Sequence, residues 1–66
     1  MMDQVTIPAG QTEAIWQAPS YVTYFNVYDT DPDGFSVLCH RNTFTEIECE
    51  MDAPVGEAVV VHFRWN

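Results

Sequence analysis

Residues 44–52, FTEIECEMD, alternate between two kinds of side chain along most of their length. Small or apolar residues occupy one side of an extended chain and glutamates the other. The two sets are Thr45, Ile47, Cys49 and Met51 on one side, and Glu46, Glu48 and Glu50 on the other. A period of two is that of a β-strand with one buried face and one face in water. The stretch therefore predicts a half-buried strand whose wet face carries a row of carboxylates.

The rest of the chain predicts further short strands and no helix, because no stretch has a helical period. The strand candidates are residues 5–7, 12–17, 21–28, 35–40, 44–51 and 58–65, and the intervening turns include residues 29–34, 41–43 and 52–57. Residues 21–28, YVTYFNVY, are apolar on both faces, which favours a central position in a sheet. This pattern predicts an all-β fold, a small antiparallel sheet of five to six strands forming a compact sandwich or partly open barrel.

The composition is that of a folded domain with a strong negative charge. Hydrophobic residues make up 47% and aromatic residues 14% of the 66 positions, too many for a disordered acidic tail. We therefore predict a single acidic β domain spanning residues 1–66. A chain of this size buries only about 60% of the surface that it exposes when unfolded, so its margin of stability is small.

Ten acidic residues face two arginines and no lysine, giving a formal charge of −8. Binding to nucleic acid or to an anionic membrane requires Lys and Arg for phosphate contacts, so we expect neither ligand. The partners compatible with this charge are basic surfaces, cations or further copies of the chain.

The N-terminal residues, MMDQVTIPAG, have neither the basic nor the apolar segment of a secretory signal, and no apolar run approaches a membrane span. The sequence therefore predicts a cytoplasmic protein, located in the host cytoplasm if a phage encodes it. In that compartment Cys39 and Cys49 are expected to be reduced, largely buried thiols rather than a disulfide.

A hairpin between residues 44–51 and 58–65 has a defined register if both apolar faces are to be buried. The partners are then Glu50 with Val60, Glu48 with His62, and Glu46 with Arg64. In this interpretation the glutamates are an ordinary solvated face, partly neutralised by Arg64 and by protonated His62. The other seven of the ten acidic residues have only Arg41 to offset them, so the excess charge needs another explanation.

The turn at residues 29–34, DTDPDG, resembles the first half of an EF-hand calcium loop, with carboxylates at Asp29, Asp31 and Asp33 before a glycine. The position that should supply a bidentate glutamate is His40, and the flanking residues predict strands instead of helices. An acidic β-turn is the alternative, and Asp29, Asp31 and Asp33 are at most a weak calcium or magnesium site.

No motif for catalysis accompanies these acids. Neither serine has a nucleophile elbow, neither histidine has a metal-ligand spacing with a cysteine, and Cys39 and His40 point to opposite faces of a strand. We expect no enzymatic activity and no cofactor. The aromatic residues are mostly core, but Tyr24 and Tyr28 share a face with Asn26 and are candidates for exposed interface anchors.

Glutamates repeating at roughly 6.6 Å along a strand face suggest a mimic of nucleic-acid phosphates. The hypothesis is a protein that occupies the Arg and Lys of a nucleic-acid-binding surface on a host protein. Its contact residues are Glu46, Glu48 and Glu50, extended by Asp52, Glu57 or the turn residues Asp29, Asp31 and Asp33, beside Tyr24 and Tyr28. In size, charge and strand pattern the chain resembles small acidic inhibitors of phages and mobile elements, including anti-CRISPR proteins, which implies a partner such as a CRISPR effector.

Two other functions fit the same sequence. A β-sandwich subunit of a virion or another assembly would use its strand edges and aromatic residues for repeated contacts. A weakly calcium-stabilised interaction module would use the aspartate turn. An inhibitor is expected to remain a monomer or small homo-oligomer, whereas an assembly subunit is expected to self-associate through an interface less sensitive to salt.

Overall fold

The computed structural model describes residues 1–66 and contains six β-strands. They are β1 (Met2–Ile7), β2 (Glu13–Gln17), β3 (Phe25–Asp31), β4 (Leu38–Thr43), β5 (Glu46–Glu50) and β6 (Val59–Trp65). They form two three-stranded antiparallel sheets, a first sheet of order β1-β6-β3 and a second sheet of order β2-β5-β4. The all-β prediction is confirmed, but the single sheet of five to six strands is wrong. The structure has no helix with the length and apolar character needed to cross a membrane.

The two sheets bury their apolar faces against each other. The buried residues of the two central strands are Ile47 and Cys49 from β5, and Val59, Val61, Phe63 and Trp65 from β6. Trp16 of β2 joins the sheets, because its ring centroid lies 4.7 Å from that of Phe63 and 5.1 Å from that of Trp65. Edge-to-face contacts of this kind add to the free energy gained from burying the rings.

β5 and β6 do not form the predicted hairpin, because each is the central strand of a different sheet. The physical reason lies in their inner faces, which are the most completely buried in the chain. Side by side in one sheet, the two strands would present their apolar faces in the same direction and need a separate layer to cover both. Placed in opposing sheets, each strand covers the other.

β4 and β5 form the one hairpin between consecutive strands, and its turn lies at residues 44 and 45 instead of the predicted 41–43. The strand predicted at residues 35–40 accordingly begins at Leu38 and continues to Thr43. The register shifts between Arg41 and Thr43, so Asn42 is an extra residue in β4. A bulge of this kind re-aims the side chain that it adds.

The two cysteines are bonded, which makes the prediction of reduced thiols wrong. Cys39 and Cys49 are direct partners across the β4–β5 ladder, with their Cα atoms 4.0 Å apart, and their sulfurs form a disulfide. The predicted burial is correct for Cys49, which is fully buried, and Cys39 is partly buried. The predicted turn at residues 41–43 implies a different register between the two strands. In that register the two cysteines are not partners.

Residues 21–28 are not a central strand. The structure has β3 beginning at Phe25 and lying at the edge of the first sheet. The preceding residues form a loop whose backbone bonds to other partners: Val22 N–H donates to Phe44 O at 2.8 Å, and Thr23 N–H donates to Asn66 O at 2.7 Å. Val22 is buried, so the loop closes one end of the core.

Candidate functional site

The outward face of the second sheet carries four glutamates, and we call it the acidic face. Its outward positions are Glu13, Ile15 and Gln17 of β2, Glu46, Glu48 and Glu50 of β5, and Leu38, His40, Asn42 and Thr43 of β4. None of these positions is Lys or Arg. Glu48 lies between Ile15 and His40 in the register, and its side chain is 18% exposed. The face is therefore a packed carboxylate surface on which only His40 can carry positive charge.

Glu13 and Glu48 shift each other's pKa in opposite directions. The hydrogen bond to the Glu48 carboxylate raises the pKa of Glu13, and the negative charge of Glu48 raises it further. The same hydrogen bond lowers the pKa of Glu48, with a further contribution from the amide of Asn42. Two carboxyl groups that cannot both ionise at low cost divide their titration in this way.

Three carboxylates converge at one end of the acidic face. One oxygen each from Glu13, Glu48 and Glu50 lie within 4.8 Å of one another. The spacing of roughly 6.6 Å expected along one strand face is therefore not kept by these oxygens. Such a cluster has the oxygen ligands that a hard divalent cation prefers, but exposed acidic groups are common in proteins without a bound ion.

The side-chain contacts of the β5 glutamates come from β4, and the predicted cross-strand pairs with Arg64 and His62 are wrong. The Asn42 amide donates to Glu48 Oε1 at 3.1 Å and to Glu46 Oε1 at 3.4 Å. His40 Nε2 lies 3.4 Å from Glu48 Oε1, which makes an ion pair when the imidazole is protonated. These contacts hold the row in place without cancelling its charge.

Both arginines lie away from the glutamates. Arg41 donates from its guanidinium to the carbonyl of Val22 and so fastens the loop before β3. Arg64 lies on the outer face of the first sheet, with its guanidinium carbon 5.3 Å from the centroid of the Tyr28 ring. Neither arginine is available to the acidic face.

The aspartates predicted as an extension of the site lie on the other side of the molecule. Asp29 and Asp31 pair with His62 and Val60 of β6, and directly opposed residues point to the same side of a sheet. They therefore lie on the outer face of the first sheet, opposite the acidic face. Residues 29–31 are strand rather than turn, and the chain turns at residues 32–34, where Gly34 has a φ of +94°.

The aspartates also form a carboxyl pair of their own. The hydrogen bond to Asp29, followed by the negative charges of Asp29 and Asp31, raises the pKa of Asp33. The three aspartates do not come together as closely as Glu13, Glu48 and Glu50 do.

The remaining predicted residues are dispersed. Asp52 follows β5 and lines a shallow groove of about 580 Å³ together with Leu38 and Glu50, so it adjoins the acidic face. Glu57 is exposed in the loop before β6, and Tyr24 is exposed in the loop before β3. Tyr28, 44% exposed, is the extra residue of a bulge in the first sheet.

Sequence reasoning identified only the β5 glutamates of the acidic face and missed its other residues, among them Glu13, His40 and Asn42. A signal existed for Glu13, since it alternates with Ala14 and Trp16 and so lies outward on its strand. Its closeness to Glu48 depends on β2 pairing with β5, which no local pattern encodes. Asn42 was assigned to a turn, and only the bulge directs its amide onto the glutamates.

Comparison with known proteins supplies no relative: no protein-family model, no curated protein and no solved structure matches the chain.

Replacing Glu13 with glutamine is expected to change how stability depends on pH. The folded-state pKa of Glu13 is raised above its ordinary value of 4.5, so its stabilising contribution is present below that value and is lost as the pH rises through the raised value. The contribution of Glu48, whose pKa is lowered, is instead lost as the pH falls. Glutamine keeps a hydrogen-bond donor for Glu48 and cannot ionise. Glu13→Gln should therefore abolish the loss of stability at higher pH and leave the loss of stability at low pH unchanged.

Urea midpoints from about pH 3 to about pH 8 measure this effect. The difference between Glu13→Gln and the natural protein should grow as the pH rises above 4.5. Glu57→Gln, which removes one charge from an exposed loop, is the matched control and should give a much flatter difference. Equal curves for the two variants would show that Glu48 does not raise the pKa of Glu13.

Proposed function

We propose that this protein binds a basic, nucleic-acid-binding surface of another protein and blocks it by presenting carboxylates in place of phosphates. One observation carries the proposal: four glutamates share the acidic face, and no outward position of its strands is Lys or Arg. Electrostatic attraction to such a face speeds encounter with Arg-rich and Lys-rich grooves and weakens as salt rises. We propose binding without catalysis, as for inhibitors that phages direct against host nucleic-acid machinery.

The apolar side chains of the acidic face support a protein partner more than a simple ion. Ile15 is 53% exposed and Leu38 is 67% exposed, and they stand on either side of the glutamate row. Arginine and lysine carry apolar stems below their charged heads, so a basic surface can cover Ile15 and Leu38 while its cations reach the carboxylates. Glu48 raises the pKa of Glu13, and a cationic group binds the ionised carboxylate better than the protonated one, so affinity should rise with pH as Glu13 ionises.

Capture from a cell lysate tests the proposal when it is combined with competition. The immobilised protein is exposed to lysate that has been cleared of nucleic acid, and retained proteins are identified by mass spectrometry. We expect retained proteins to bind nucleic acid and to elute at high salt. We also expect double-stranded DNA or RNA to displace them, because this protein and nucleic acid would compete for the same basic surface. Retained proteins that nucleic acid does not displace would contradict the mimic.

The proposed location is the cytoplasm, where proteins that handle nucleic acid are abundant. The cytosol keeps most thiols reduced, so this part of the proposal requires the glutamates of β2 and β5 to bind the partner with Cys39 and Cys49 unbonded. Repeating the capture experiment in dithiothreitol tests that requirement. Loss of every retained protein under reducing conditions would contradict the cytoplasmic location and leave binding to a basic surface intact.

A second candidate, an assembly subunit, is favoured by the number of strand edges. Four of the six strands, β1, β2, β3 and β4, have a single neighbour in their sheets. Edge strands offer free backbone donors and acceptors to another chain. Sedimentation at low and high salt separates the two candidates, since an assembly subunit should self-associate at both and an inhibitor should stay monomeric or dimeric.

A further inference from the structure

β4 is held to the rest of the fold by very little apolar burial. Of its six residues only Cys39 is partly buried, and the other five are exposed. The opposite edge strand of the same sheet, β2, differs because Trp16 packs on Phe63 and Trp65. None of the ten buried residues of the core belongs to β4.

β4 is otherwise held by polar contacts, of which the Arg41 bond is partly buried. They are the ladder to β5, the Arg41 bond to the Val22 carbonyl, and the contacts of His40 and Asn42 with the glutamates. Hydrogen bonds and ion pairs that water can replace contribute little net stability. Segments with few buried contacts and exposed hydrogen bonds are the ones that open locally.

The disulfide is the exception among these contacts. It joins Cys39, on the exposed edge strand, to Cys49, which is fully buried in the core. A covalent bond therefore fixes β4 to the part of the fold that is most firmly packed.

We propose that the Cys39–Cys49 disulfide is a redox-sensitive latch, and that a thiol reductant opens it and releases β4 while the core stays folded. The reductant's thiolate attacks the sulfur of Cys39, which is the more exposed of the two. The disulfide bond breaks, and the Cys49 sulfur leaves with the electron pair and takes up a proton. A second reductant thiolate attacks the outer sulfur of the mixed disulfide, which frees Cys39 as a thiol and yields the oxidised reductant.

Release of β4 changes two surfaces. β5 becomes an edge strand with unpaired backbone groups, a known template for added strands. The contacts of His40 and Asn42 with Glu48 are lost, so the glutamate row loses the side chains that hold Glu48 in place. The latch depends on the attachment of β4 alone and stands whether or not the acidic face binds the proposed partner.

Hydrogen exchange of the full chain, with and without dithiothreitol, tests the latch. The β4 amides that bond to β5 should exchange about 100-fold faster in the reduced protein, whereas β6 amides should change by less than about threefold. Equal acceleration in β4 and β6 would overturn the latch, because the disulfide would then support the whole fold. Unchanged exchange in β4 would overturn it as well.

A variant separates loss of the bond from other effects of the reductant. Cys39→Ala/Cys49→Ala without reductant should show the fast β4 exchange of the reduced protein, and dithiothreitol should not alter it further. If the variant is globally unfolded, reversible reduction of the natural protein decides the matter, since its β6 amides must stay protected. Protected β4 amides in a folded variant would reject the latch.

Discussion

Phe63→Ala is expected to remove a large part of the free energy of unfolding of this domain. Phe63 is fully buried at the centre of the core and contacts the rings of Trp16 and Phe25 at centroid distances of 4.7 and 4.6 Å. Truncating a buried phenylalanine costs about 3–5 kcal/mol. Folded domains have about 0.05–0.15 kcal/mol of stability per residue, or about 3–10 kcal/mol for 66 residues, so the loss is about a third of the total or more.

Thermal and urea unfolding measure this loss, and Phe44→Ala is the matched control. Phe44 is 63% exposed at the β4–β5 turn and stacks on Tyr21 at a centroid distance of 5.3 Å. An aromatic pair contributes about 0.5–1.5 kcal/mol in addition to the free energy of burying the rings, so Phe44→Ala should remain folded. Similar losses in the two variants would mean that Phe63 does not occupy the centre of the core.

Replacing Glu46, Glu48 and Glu50 together with glutamine is expected to abolish binding to the proposed partner. The three side chains point outward, so the fold does not require their charge, and removing like charges relieves repulsion across the face. We expect a loss of about 100-fold or more in affinity, which corresponds to about 2.8 kcal/mol. Charge reversal to lysine should have a larger effect, because it adds repulsion to the lost attraction.

The opposite face supplies a control with the same change in charge. Asp29→Asn, Asp31→Asn and Asp33→Asn together remove three charges near the outer face of the first sheet, away from the glutamates. Affinity for a protein captured in the competition experiment should fall only by the weak effect of net charge, and its salt dependence should be nearly unchanged. Equal losses of affinity in the two triple variants would show that binding depends only on net charge, and would reject a defined binding face. Unchanged binding by the glutamate variant would reject the acidic face altogether.

Alternation predicted the faces of the strands correctly because it is a local property. Successive side chains of a strand point to opposite sides whatever the neighbouring strand is. Ile47 and Cys49 are buried, and Glu46, Glu48 and Glu50 are partly exposed, as their spacing predicts. The same rule correctly placed Val59, Val61, Phe63 and Trp65 on the inner side of β6.

The register of the β4–β5 hairpin escaped prediction because turn residues gave the wrong signal. Asparagine favours turns, which pointed to residues 41–43, yet the chain turns at Phe44 and Thr45, which have no such preference. A turn centred on Asn42 would place Cys39 opposite Thr45 instead of Cys49. Placing the turn two residues too early therefore concealed the disulfide and the contacts of His40 and Asn42 with Glu48.

The sequence by itself determined a β fold, a large negative charge and the outward direction of the glutamates on β5, since these follow from composition and from the period of a strand. Only the tertiary structure decided which strands are neighbours. That choice brought Glu13 to Glu48, bonded Cys39 to Cys49, and put Arg64 and the aspartates on the opposite face. The physical reason is that strand pairing is settled by the burial of two apolar faces against each other, which involves residues distant in the chain.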